Sequence, residues 1–136
     1  MLHLIFIGVG GAAGALSRYL IDFTITNHYT MNFPLGTLIV NLIGCFIIGI
    51  AFKIFHHEII HTRFNPFIIT GFLGALTTFS SYAYTTLILF ENGKYVLAVS
   101  NLLANNVLGI LFAFLGAKIT NYIVKKHFNH KFKGDE

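Results

Sequence analysis

Charge is what this sequence has least of. Only 10% of its 136 residues are Asp, Glu, Lys or Arg, 5 of them acidic and 9 basic; tryptophan is absent, and there are 2 prolines and 1 cysteine. Soluble domains carry about a quarter of their residues charged, so the shortage argues against a fold with a water-facing exterior. The single Cys45 excludes an intrachain disulfide and says nothing about redox compartment. The carboxylates Asp22, Glu58 and Glu91 fall at or beyond the ends of apolar runs, which leaves no buried acid for proton exchange. Five of the nine basic residues lie from Lys118 onward, which reads as a tail beside a membrane and not as a nucleic-acid face.

What is present is apolar. Hydrophobic residues make up 55% of the chain and mean hydropathy is +0.73. Crossings are expected over about 2–24, 35–55, 67–90 and 95–124, with a basic tail at 125–136, in a single membrane domain 1–136. The fold class is therefore an all-α membrane protein with four transmembrane helices, and the bilayer is its surroundings. Leu2 to Ser17 carries Gly8, Gly10, Gly11 and Gly14, a small face with a GxxxG spacing. It lacks the basic residues that precede a cleaved signal segment, so it is expected to be retained. Arg18 follows, placed either to snorkel to the interface or to attract an anion. Thr24 to Asn32 reads as a loop, and Pro34 suits the first turn of the next helix. On that helix Thr37 and Asn41 stand four residues apart, on one face. The Asn41 amide either bridges helices or offers its two donors to an anion.

The stretch Gly71 to Tyr84, GFLGALTTFSSYAY, is the least uniform part of the chain. No charged residue occurs between Arg63 and Glu91, yet two glycines, two threonines and two serines interrupt the run. This predicts a helix broken in mid-membrane, with hydroxyls satisfying the freed backbone and carbonyls turned toward an ion or a partner chain. The alternative is a continuous helix whose small residues make close contacts. In the last crossing Asn101, Asn105 and Gly109 recur every four residues with Asn106 beside them, a stripe that suits either interhelical bonds or the wall of a polar path. His57, Glu58 and His61 have the spacing of a zinc-protease motif, but they occupy a short polar link, and no enzymatic role is expected.

Four segments together resemble the Fluc/CrcB family of small bacterial fluoride channels: GVGGAAGALSRY, FPLGTLIVNLIGCFIIG, GFLGALTTFSSY and NNVLGILFAFLG. The resemblance implies a passive fluoride-selective channel in the bacterial plasma membrane that lets toxic cytoplasmic fluoride leave the cell. It implies two subunits inserted antiparallel, two pores along their interface, and a central structural sodium ion that is not transported. By the same resemblance the sodium ligands are the backbone carbonyls of Gly74 and Thr77, and Asn41 and Phe79 lie on the fluoride path. Tyr82, Ser81, Thr37, Asn101 and Asn105 are the further candidates for that path, with Arg18 for anion attraction or structure. The sequence departs from the family pattern at Tyr82, where a second phenylalanine is usual, and at Thr85, where an acid is often found. Asn101 and Asn105 stand where a tyrosine and a serine are expected. Competing readings are a structural subunit of a heterodimeric channel and a small proton-coupled drug exporter.

Four crossings put Lys53, Arg63, Lys118, Lys125, Lys126, Lys131 and Lys133 on one side and Arg18 and Lys94 on the other, seven against two. Short basic loops stay cytoplasmic, so both termini are expected inside. That bias favours a partner of the same family with opposite orientation over a second copy of the same chain.

Overall fold

The computed structural model describes residues 1–28 and 32–132, and every regular element among them is helical. Helix α1 spans Leu2–His28 and α2 spans Leu35–His56. A single 3-10 turn, Thr62–Phe64, leads into α3 (66–76), which is π-helical over Pro66–Leu73 and α-helical over Gly74–Leu76. Helix α4 is Phe79–Glu91. Helix α5 (95–132) has a π-helical turn, Ala104–Leu108, between α-helical Tyr95–Leu103 and Gly109–Phe132.

Among the described residues three helical stretches are long and apolar enough to cross a membrane: His3–His28, Leu35–His56 and Tyr95–His127. The remaining apolar stretch is divided between α3 and α4. Two boundaries differ from expectation. Helix α1 continues four residues past Thr24, because Thr24 Oγ1 donates to Leu20 O at 2.7 Å and His28 Nδ1 lies 2.8 Å from Thr24 O. Hydrogen bonds to the preceding turn let these polar side chains stay helical. Helix α5 likewise runs to Phe132, through the first part of the expected tail. Residues 29–31 of the expected loop and 133–136 of the tail, Lys133 included, lie outside the described residues.

Glycines decide how the helices meet. A Cβ on Gly10 would strike the Phe67 carbonyl and one on Gly14 the Phe72 carbonyl, so α1 lies backbone to backbone on α3. Gly71 answers from the other side, where a Cβ would stand 2.7 Å from Ile7 O. A second such contact joins α2 to α5, with Gly49 against the Ala113 carbonyl and Gly116 against that of Phe46. Close approach of this kind replaces the hydrophobic drive that lipid removes. Gly8 has no neighbour and Gly11 reaches only Gly71 O, at 4.0 Å, so the face expected from all four α1 glycines narrows to two. Val40, Ala51, Leu73 and Leu76 fill the centre between α2 and α3, with Ile21, Ile47 and Phe72 packed around them.

Candidate ion path at Thr77 and Thr78

Helix α3 ends at Leu76, and two residues leave helical geometry: Thr77 (φ −75°, ψ 151°) and Thr78 (φ −145°, ψ 111°). Local chemistry explains the stop. Thr78 acts as N-cap of α4, its Oγ1 accepting from Ser81 N at 3.1 Å. Thr77 Oγ1 turns back to donate to Leu73 O at 2.9 Å. The Thr78 N–H, which a continuing helix would give to the Gly74 carbonyl, instead donates to Asn41 Oδ1 at 2.9 Å. The Gly74 carbonyl therefore does not receive the bond that a continuing helix would give it.

Asn41 is thus bound to both backbone groups of Thr78. Its Nδ2 donates to Thr78 O at 3.3 Å and to Asn105 Oδ1 at 2.8 Å. The chain continues inward. Asn105 Nδ2 donates to Asn101 Oδ1 at 2.9 Å, Asn101 Nδ2 donates to Thr86 Oγ1 at 2.8 Å, and Thr86 Oγ1 donates to Tyr82 O at 2.7 Å. Asn101 is fully buried. The π-helical turn sets this arrangement by adding a residue to the turn, so that successive side chains serve different neighbours. Asn105 turns to Asn41 and Asn101, while Asn106 Nδ2 reaches the Tyr82 hydroxyl at 3.0 Å. The expected four-residue stripe is therefore a branched network, tied back to the Asn101 and Leu102 carbonyls.

Two cavities flank Thr78. One, of about 340 Å³, is lined by Asn41, Gly74, Thr77, Phe79, Tyr82 and Asn105, among others. The Phe79 and Tyr82 rings meet edge to face across 5.3 Å at 70°. Phe79 is 77% exposed whereas Tyr82 is buried, so of the pair it is the Phe79 ring that stands at an open face of the chain. Tyr82 accepts from Asn106, which leaves its own hydroxyl hydrogen to donate. The other cavity, of about 210 Å³, is lined by Arg18, Asp22, Thr37 and Ser81. The sequence candidates thus fall into two groups, and Asn101 belongs to neither cavity wall.

Thr78, which lines both cavities, was not among those candidates, nor was Asn106. The signal for Thr78 was available in its being a threonine ahead of a helical run, the residue type that caps a helix start. The histidine motif of the link does not assemble. Helix α2 stops at His56, and Glu58 sits at φ 54°, so His57 and His61 share no helix face. His57 Nε2 lies 3.1 Å from Asn121 Oδ1, and His61 Nδ1 accepts from Arg63 N at 3.1 Å. Among the described residues no three His, Cys, Asp or Glu gather as for a metal.

Long apolar helices joined by short links, with an amide and hydroxyl network at an interruption between two of them, define a multi-pass membrane protein. The family described as CrcB-like protein, Camphor Resistance (CrcB), matches residues 5–117. The chain belongs to this family. Similar relatives include proteins named fluoride-specific ion channel FluC. That of Dehalococcoides mccartyi (strain CBDB1) is 42% identical over 118 residues, 86% of this chain and 91% of its own length. That of Legionella pneumophila (strain Paris) is 38% identical over 122 residues, 89% and 91% of the two chains. That of Aquifex aeolicus (strain VF5) is 40% identical over 111 residues, 81% and 90% of the two chains.

Proposed function

We propose that this chain is a fluoride-selective channel that lets the anion leave the cell passively. The observation that carries the reading is the pairing of N–H and O–H donors with two aromatic rings, one of them exposed, around one interruption, in a family whose relatives are named as fluoride-specific channels. Fluoride accepts hydrogen bonds and holds water tightly, so a path must replace that water with donors. Amide hydrogens, hydroxyl hydrogens and the positive edge of an aromatic ring meet that need. Of the two bonds that Asn41 donates, the 3.3 Å contact to Thr78 O is the longer, and it is the donor an anion would take over. Phe79 and Tyr82 supply ring edges, Ser81 and Thr37 supply hydroxyls, and Arg18 draws the anion toward the smaller cavity.

The interruption is read as a mid-membrane break at which a structural sodium ion binds. The donor set fits: Thr77 is extended, and Asn41 holds the amide that would occupy the Gly74 carbonyl. Neutral carbonyl oxygens suit a hard cation. The ion would supply positive charge that ties two chains together, and the residues of this chain that hold it are Gly74 and Thr77. Gly74 and Phe79 lie exposed on the single chain, which supports an antiparallel partner covering this face.

A second reading is favoured by the seven-to-two basic count: the chain pairs with an oppositely oriented relative, both of its own termini cytoplasmic. Reconstituting the chain alone and measuring fluoride efflux separates the two. Efflux from the single chain supports a homodimer. Efflux only on addition of an oppositely biased family member supports the heterodimer, with this chain as one structural half. No fluoride efflux in either case overturns the channel.

A further inference from the structure

A further cavity among the described residues shares only Ile48 with the walls of the cavities flanking Thr78. It is a groove of about 690 Å³ between α2 and α5, with walls of Ile48, Phe52, Ile110 and Phe114 and with Lys53 and Lys118 also in its lining. Phe114 is 71% and Phe52 58% exposed, so the apolar walls face outward. Gly49, Ala113 and Ala117 also line the groove, and a Cβ on Gly49 would strike the Ala113 carbonyl, so the two helix backbones meet there too closely for a side chain to fill it.

Both lysines stand toward one end of the molecule. Lys53 lies in the last turn of α2, and His57 just beyond it is tied to Asn121 of α5 by the 3.1 Å contact, so this end of the groove is the end from which both helices run into the polar link and tail. On α5, Lys118, Asn121 and Lys125 fall on one face at spacings of three, four and seven residues. A dry groove with cations at one end has the shape and charge of one lipid molecule: an acyl chain in the apolar part and an anionic headgroup at the lysines. The positive end is the side that basic-residue bias makes cytoplasmic, and anionic lipids face that side.

We infer that the groove between α2 and α5 is a binding site for an anionic phospholipid, with its phosphate held by Lys53 and Lys118. The site requires only that the chain lies in a bilayer, so it stands or falls independently of fluoride conduction. A lysine ammonium is a compact charge with three donors, suited to phosphate oxygens, and its apolar stem continues the groove wall.

The test uses the full chain in detergent micelles doped with either phosphatidylglycerol or phosphatidylcholine. Phosphatidylglycerol should raise Tm by about 4 °C over phosphatidylcholine when it saturates the site, and native mass spectrometry should show phosphatidylglycerol retained on the protein. The double variant Lys53→Gln/Lys118→Gln should lose both the Tm difference and the retained lipid. Lys94→Gln, in the turn between α4 and α5, should keep both and controls for loss of a lysine elsewhere in the chain. Equal loss in Lys94→Gln, or an undiminished Tm difference in the double variant, would overturn the site. So would a cross-link through Phe114→Cys joining two chains in bilayers, because a second chain would then occupy the groove. If the double variant fails to fold, Phe52→Ala, which shortens the groove wall and keeps both charges, provides the decision: it must weaken lipid retention.

Discussion

The side chain of Asn41 has two N–H hydrogens and one carbonyl oxygen, and all three are engaged, by Thr78 on both its backbone groups and by Asn105. Removing the side chain leaves the Thr78 N–H, on a buried residue, without a partner, at a cost of about 1–3 kcal/mol. Asn41→Ala is expected to lower stability by that amount, read as a fall in the denaturation midpoint, and to reduce fluoride flux. A midpoint equal to the parent's would show that water or another group replaces the amide. Phe79 behaves oppositely. It is 77% exposed on the single chain, so Phe79→Ile should leave chain stability within about 0.5 kcal/mol. Flux should still drop by about 2- to 10-fold as the polarised ring edge is lost. Unchanged flux in a variant shown to be folded and paired would reduce the ring to packing.

At the scale of elements, the contact between α1 and α3 depends on positions where no side chain fits. Gly14→Val drives a side chain into the Phe72 carbonyl and should destabilise the chain by about 3 kcal/mol or more, while Gly8→Val meets open space and should not. Thermal unfolding of the two variants side by side checks this, and equal midpoints would contradict the packing. Gly74→Val is a third case. Its nearest atom is Ile69 O at 3.5 Å, so the single chain tolerates it and any damage should appear in assembly, measured as loss of the paired species on size exclusion.

These elements also show what could be read in advance. Hydropathy and the absence of charge placed the long helices, because a bilayer leaves few other ways to satisfy a backbone. The departure from helix at Thr77 and Thr78 was foreshadowed by Gly, Thr and Ser in an apolar run. Helix ends were less legible, because Thr24 and His28 look like loop residues until their bonds to the preceding turn are seen. The π-helical turn at Ala104–Leu108 left no mark on composition, so a stripe counted by fours missed that Asn105 and Asn106 serve different partners. Thr78 could be read as a helix cap but not as a partner of Asn41, which is 37 residues away.

For the molecule as a whole, the division of lysines and arginines along the sequence predicts an orientation. A C-terminal tag on the chain expressed alone should be reached from the cytoplasmic face only, if the expected split of seven basic residues against two sets the insertion. Tags divided evenly between the faces would instead point to a chain that pairs with inverted copies of itself. Conduction itself is measured with the protein, paired with itself or with its oppositely oriented relative, in liposomes loaded with fluoride and monitored by a fluoride electrode. The donors around Thr77 and Thr78 predict efflux of fluoride when a potassium ionophore dissipates the charge, no comparable efflux of chloride, and no dependence on a proton gradient. A flat fluoride trace from a folded, paired sample, or equal passage of chloride, would contradict it.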